Sequence, residues 1–298
     1  VLEALVYRIL GNDAWPHHGR RHTEQNLRHL LDHEPVLPGA EKRWILNRIL
    51  SPRDEGRLID LLERRGQRWI RLPFEPAAYA AARAGAANAD FGRRNDDLRT
   101  PDQRRYHAAL VYVANINGAR NAAIDDAGGQ SAWVLPLDGA TAFDAAGWSE
   151  LRRAMAMSAA SALPIPMYRL RRDDEAQGFV PRRFTEREDE PQLAIRTGTR
   201  PRFDERMRWG RLDKVELLDR LGLLCDGSLL TKPELRAGWC LRLPTRSRGT
   251  ALGCDLMARV EQRSRAARWL LWRADARSHG LLGAIGRRLA RKVLGAAD

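Results

Sequence analysis

An α/β fold, with a central β-sheet flanked by helices and a helical extension toward the C-terminal end, is what this sequence predicts. Three observations predict it. Between residues 5 and 72, apolar runs of strand length alternate with stretches of helical period, the pattern of a doubly wound nucleotide-binding half. Ser131 to Leu137 carries no charge and stops on Asp138-Gly139, as an interior strand does when it ends in a turn. From Glu261 onward, Trp269, Leu270, Leu271 and Trp272 interleave with Arg265, Arg268 and Arg273, a basic amphipathic pattern unlike the rest of the chain.

Leu5 to Leu10 reads as the first strand, ended by the turn-formers Gly11-Asn12-Asp13. A loop rich in histidine and arginine, Pro16 to Arg20, leads to a helix over 23–33 with Leu27, Leu30 and Leu31 on one face. Pro35 and Pro38-Gly39 break that helix, and Arg43 to Ile49 forms the second strand. Ser51-Pro52 opens the next helix, a serine N-cap with proline at the first helical position. Its apolar face is Leu58, Leu61 and Leu62, it ends near Gly66, and Trp69 to Leu72 is the third strand. Residues 76–101 read as an alanine-rich helix and a mobile charged loop. A helical pattern from Gln103 then carries Tyr106, Leu110 and Val113 into a helix over Asn117 to Ala127. After the charge-free strand come a helix from Trp148 to Met157 and a strand from Pro164 to Leu170. A mixed-charge surface loop over 171–189, a short strand from Gln192 to Arg196 and a helix over 213–221 follow.

At 298 residues, with 44% hydrophobic and 30% charged residues, the chain fits one large α/β domain or two small ones. No stretch approaches ~18 consecutive apolar residues, so no membrane-spanning helix is expected. The first residues lack a signal pattern, and Val1 in place of methionine reads as a trimmed or processed start. Cys225, Cys240 and Cys254 have no metal-type spacing and read as reduced cytosolic thiols. The net charge of +13 is nearly all arginine, which suits phosphate or carboxylate recognition. Charge alone admits nucleic acid, an anionic membrane surface or a nucleotide diphosphate as partner. Nucleic acid is not expected, because neither an aromatic stacking platform nor a recognised module is visible.

Two stretches carry a family likeness. Asn117-Gly118-Ala119-Arg120-Asn121 feeds Trp133 to Gly139, and later Phe203-Asp204-Glu205 leads to Asp213 and an apolar helix ending in Arg220-Leu221. In this order they resemble the nucleotide-sugar glycosyltransferases of the GT-A fold, the family-two group especially, and the order of motifs runs over residues 3–222. The resemblance implies a GT-A-like, Rossmann-like central mixed β-sheet flanked by helices. It implies a catalytic domain over 1–222, with a nucleotide-sugar half to about 140 and an acceptor half from 141. A basic, mainly helical extension then covers 223–298. The implied activity is transfer, with inversion, of a sugar from a nucleoside diphosphate donor to a saccharide or other hydroxyl acceptor. A hexosyltransferase of bacterial surface or exported polysaccharide synthesis is the expectation, cytoplasmic and peripheral at the anionic inner face of the membrane through residues 261–298.

The resemblance also assigns residues. Negative charge grows on the diphosphate as the glycosidic bond breaks, and a divalent cation or fixed positive groups must offset it. Asp138, with Gly139 beside it and Arg120 in support, is expected to hold the donor diphosphate, directly or through Mn or Mg. The family has a second acid two positions on, where this chain has Ala140. Either Asp138 works with water and another carboxylate such as Asp144, or metal use is weak. A carboxylate must take the acceptor hydroxyl's proton; Asp213 is the candidate, with Glu205 and Glu216 behind it, and Leu212 stands where the first acid of the family's pair falls. Asn12 and Asp13, and Asn47 with Arg48, lie where the family contacts base and ribose.

Each residue also has a plainer reading. Asp138-Gly139 is a common strand-ending turn, Arg120 and Asn121 suit capping or ion pairing, Asp213 suits an N-cap, and Asn12, Asp13 and Asn47 suit turns. His17, His18 and His22 lie without cysteines or paired carboxylates and read as surface residues, not a zinc site. The tail is either an interfacial helix on an anionic leaflet or a helix pair packed on the catalytic domain. The alternative for the whole chain is a catalytically degraded binding or scaffold protein of the same fold at a membrane surface, favoured by Ala140 and Leu212.

Overall fold

A computed structural model describes residues 2–15, 18–19, 21–86, 100–170, 188–199, 201–207, 209–210, 212–243 and 256–278. The strands are β1 (Ala4–Leu10), β2 (Ala40–Asn47), β3 (Arg68–Leu72), β4 (Trp133–Asp138), β5 (Thr141–Ala142), β6 (Ala162–Arg169), β7 (Glu188–Arg196) and β8 (Cys240–Arg242). The helices are α1 (His22–His33), α2 (Pro52–Arg64), α3 (Pro76–Gly85), α4 (Pro101–Ala114), α5 (Ile116–Ala127), α6 (Ala145–Met157), α7 (Asp213–Arg220) and α8 (Leu256–Ser278).

The expected mixed sheet flanked by helices is what forms. Its order is β3-β2-β1-β4-β7-β6-β8-β5. β1 pairs in parallel with β2 and β4, and β2 with β3; parallel neighbours need crossovers, which α1 and α2 supply. All seven residues of β1 are buried, as in a strand covered on both faces, Arg8 among them through its ion pair with Glu34. β7 is antiparallel to both β4 and β6. The strand order runs outward from β1 to β3 and then reverses to place β4 on the other side of β1, and Asp138 is the last residue of β4 at that reversal. Ligands in open α/β sheets bind outside the carboxyl ends of strands at such a place.

Alternate residues of β1 face opposite layers. Leu5, Tyr7 and Ile9 join Ala119, Ala123 and Ala127 of α5 and Leu217 and Leu218 of α7. Ala4 and Val6 join Leu135, Leu137 and Trp148 and Leu151 of α6. The alanines of α5 recur every four residues, so one smooth face of the helix lies against the sheet.

Ser51 caps α2 as its sequence announces, accepting from the Asp54 amide with Pro52 at the first position. The single helical pattern from Gln103 to Ala127 is corrected: it breaks at Asn115, where φ is +44°. Asparagine tolerates this left-handed conformation, and its Nδ2 donates to Asn47 Oδ1 of β2 at 2.8 Å. A Cβ on Gly118 would lie 2.2 Å from Asn115 Oδ1, so a side chain there would push the Asn115 amide from its place.

Beyond residue 222 the chain returns to the sheet as β8 and then packs α8 against α3 and α4. Ala266, Ala267, Leu270 and Ala274 are buried with Tyr79, Leu110 and Val113. Tyr79 Oη donates to Asp275 at 2.8 Å, and Arg277 Nη1 donates to the Ile49 carbonyl at 2.7 Å. Of the two readings of the tail, residues 261–278 follow the packed one, with Ala266, Ala267, Leu270 and Ala274 closed against the domain. Residues 279–298 of the expected membrane segment lie outside the described residues, as do the charged loops over 87–99 and 171–187 and His17. No described helix is long and apolar enough to cross a membrane.

Candidate functional site

A cavity of about 340 Å³ opens at the carboxyl ends of β1 and β4, and Asp138, Gly139, Arg120, Asp213, Lys214 and Glu190 all line it. The Ala-Arg-Asn triplet of α5 has three separate jobs there. Ala119 is fully buried against the sheet. Arg120, 2% exposed, donates from Nη2 to Asp138 Oδ1 at 2.8 Å and from Nη1 to Asp213 Oδ2 at 2.7 Å, with Asn117 Oδ1 at 2.9 Å. Asn121 holds the Phe203-Asp204-Glu205 loop: its amide group donates to the Phe203 carbonyl and to Glu205 Oε1, and its oxygen accepts from the Phe203 amide. Residues read from two distant motifs thus meet through one buried guanidinium.

Three partners of this bridge had no sequence expectation. Lys214 Nζ donates to Asp138 Oδ2 at 3.1 Å and lies 3.6 Å from Glu190 Oε2. The Lys214 amide is 3.0 Å from both Glu190 Oε1 and Asp213 Oδ1, so the two carboxylates converge on one N–H. Gln192 Nε2 donates to Asp138 Oδ2 at 3.0 Å, and its own oxygen accepts from the Asp138 amide. Glu190 and Gln192 are two apart on β7 and so share a face; that spacing was the available signal, hidden because Glu190 borders the densely charged stretch.

Burial alone would raise the Asp138 carboxyl, but Lys214 and Arg120 outweigh it and hold it well below the usual carboxylate range. Glu190 shifts the other way. Burial raises it, Lys214 pulls it down, and Asp213 adds to the rise, leaving it above its ordinary value.

The other expected residues fall differently. Asp213 is the first residue of α7, not its cap; the capping position is Leu212, without a side-chain bond. Glu216 is buried and pairs with Arg220 through both oxygens, and it does not line the cavity. Glu205 is exposed beside the loop and is likewise not a lining residue. Asn12 and Asn47 line the cavity with their amides tied to backbone or to each other's neighbours: Asn12 to the Arg48 carbonyl and Leu50 amide, Asn47 to the Ala114 carbonyl and Asn115. Asp13 Oδ1 accepts from the amide and hydroxyl of Thr23 at the start of α1. A Cβ on Gly139 would lie 2.4 Å from the Ile9 carbonyl oxygen; glycine lets β1 and the turn after β4 close together. His22 is buried and stacks on His18 at 4.8 Å, both lining the cavity, which corrects their reading as surface residues.

The donor set does not fit a divalent cation. Both oxygens of Asp138 already accept from Arg120, Gln192 and Lys214. Asp144, the expected helper, caps α6 through the Gly147 amide at 2.6 Å and accepts from Trp239 Nε1 at 3.1 Å. Among the described residues, no three His, Cys, Asp or Glu side chains form a group able to hold a metal ion.

No family model and no curated protein matches this chain. Among solved structures, S. aureus TarS residues 1–349 in complex with UDP is similar over 81% of this chain, at 10% identity and a TM-score of 0.39. A second crystal structure of S. aureus TarS 1–349 is similar over 82% of this chain, also at 10% identity, with a TM-score of 0.37. The chain spans 58% of the length of each. Likeness at this level carries no functional argument, so the site has to be read from its own geometry.

Proposed function

We propose that this cavity transfers a sugar from a nucleoside diphosphate donor to a hydroxyl acceptor. The observation that carries the reading is the Asp138–Arg120–Asp213 bridge at the reversal of strand order, with Glu190 converging on the same Lys214 amide. The acceptor oxygen attacks the anomeric carbon while the bond from that carbon to the diphosphate breaks, with inversion. The diphosphate leaves with the bonding electrons, and a carboxylate takes the acceptor's proton.

Glu190 is the better placed of the two acids for that proton. Both oxygens of Asp213 accept from protein donors, Arg120 and the Lys214 amide. Among the described residues, Glu190 Oε2 has only the 3.6 Å approach of Lys214 Nζ, and its raised titration strengthens it as a base. In this reading Glu190, from β7, supplies the acid absent at Leu212, and Asp213 holds Arg120.

The test is release of UDP or GDP from a panel of nucleotide sugars, with and without saccharide acceptors. Asp138→Asn is expected to abolish both transfer and donor hydrolysis with the fold intact; unchanged turnover removes the assignment. In the wild type, kcat/KM is expected to rise with pH through a limb above the ordinary glutamate range, as the base loses its proton. Glu190→Gln is expected to lose that limb and about 10²–10⁴ of rate. If Asp213→Asn removes the limb and Glu190→Gln keeps it, Asp213 is the base. The alternative, a binding or scaffold protein, is favoured by Ala140 and Leu212 and predicts nucleotide-sugar binding without turnover.

A further inference from the structure

Two arginines of the cavity stand outside the hydrogen bonds of the carboxylate bridge, although the charge of Arg242 adds to that of Lys214 and Arg120 on Asp138. Arg242, from β8, and Arg263, from α8, both line it, and neither side chain hydrogen-bonds or ion-pairs with another described residue. The remaining lining lysine and arginine are already matched: Arg120 to Asp138 and Asp213, Lys214 to Asp138 and Glu190. Among the described lining residues, four lysine or arginine side chains thus face three carboxylates, Asp138, Glu190 and Asp213, and Arg242 and Arg263 are the two without a hydrogen-bonded acid. A doubly charged cation would enter a site that already carries excess positive charge and whose Asp138 oxygens are taken. A diphosphate would neutralise it.

We infer that Arg242 and Arg263, with Lys214 of the same cavity wall, form a metal-free clamp for the diphosphate of a nucleotide. The planar fork of a guanidinium matches phosphate oxygens two at a time, so a pair of them can supply the charge otherwise given by a metal. Asp138 then works as a post that fixes Arg120 and Lys214 and does not ligate a cation. Ala140, packed beside an apolar cluster, is consistent with this division of labour, since no second ligand is called for there. The inference deepens the donor reading given above and rests on it.

Calorimetric titration of UDP and GDP into the full chain, once in excess EDTA and once with Mn²⁺, tests it. The same affinity in both buffers is expected. Arg242→Gln and Arg263→Gln should each weaken binding by roughly 10- to 100-fold, the worth of a charge-assisted hydrogen bond. Both side chains are at least partly exposed, and matching melting curves would show that the fold is kept. Nucleotide binding that appears only with Mn²⁺ overturns the clamp and leaves the donor reading standing, as does binding unaffected by both substitutions. No binding of either nucleotide in either buffer overturns both.

Discussion

Replacing Arg120 by methionine keeps an apolar stem in place and removes the guanidinium that joins two motifs. Three hydrogen bonds of 2.7–2.9 Å, to Asn117, Asp138 and Asp213, disappear together. The group is 2% exposed, while Asp138 and Asp213 are 31% and 17% exposed. Removing one partner of a buried pair costs about 3–5 kcal/mol, because the other charge is left uncompensated. Water reaches both acids here and Lys214 still serves Asp138, so the lower end, about 3 kcal/mol, is expected. For a domain of this size that is a fall in Tm of about 6–12 °C. Urea unfolding near neutral pH measures it directly. Adding Asp213→Asn should return part of the loss, since it removes the stranded charge, and the two substitutions should be clearly non-additive. A loss below about 1 kcal/mol, the value of an exposed pair, or strict additivity would refute the idea that one buried cation organises the site.

Gly139→Ala should cost about 1–3 kcal/mol, because its Cβ would lie 2.4 Å from the Ile9 carbonyl oxygen and β1 would have to move; an unchanged melting curve would contradict that packing. Asp144→Ala should lower stability by about 1–2 kcal/mol through loss of the α6 cap and the Trp239 bond. Asp144→Asn should retain most of it, and equal urea midpoints for the two would remove the capping role. Asp138 is held well below the usual range, so the stability from its pairing is complete above the unfolded carboxylate pKa of about 3.9 and is lost as pH falls through the folded value. Wild type and Asp138→Asn should therefore differ most near neutrality and converge in acid; a gap that widens on acidification would reverse the sign.

The parallel half of the sheet was legible because interior strands are rich in consecutive apolar residues, as β4 is throughout Trp133 to Leu137 and β1 is on either side of Arg8. The start of α2 was legible because Ser51 and Pro52 act locally. The break at Asn115 was not, since the hydrogen bond that Asn115 donates there is accepted by Asn47 on a strand distant in sequence. Arg120, Asp138 and Asp213 could be singled out because their motifs are ordered along the chain. Nothing in the sequence said that one side chain would join all three. Lys214 and Glu190 escaped notice because their roles exist only once β7 and α7 lie side by side. Arg242 and Arg263 were invisible for a statistical reason: in a chain of net charge +13, an arginine that faces a cavity looks like the many that face water.

The placement of α8 sets an order of events during synthesis. Arg263 and Leu270 belong to the cavity wall, yet the last sheet strand, β8, ends at Arg242. A ribosome therefore delivers strands β1 to β8 before it delivers that wall. Chains fold progressively from the N-terminal side as they emerge, so a nascent molecule can complete its sheet while its ligand chamber still gapes. Capacity to engage a ligand should switch on late, when the final long helix docks, and premature termination ahead of it should yield a folded but inert product.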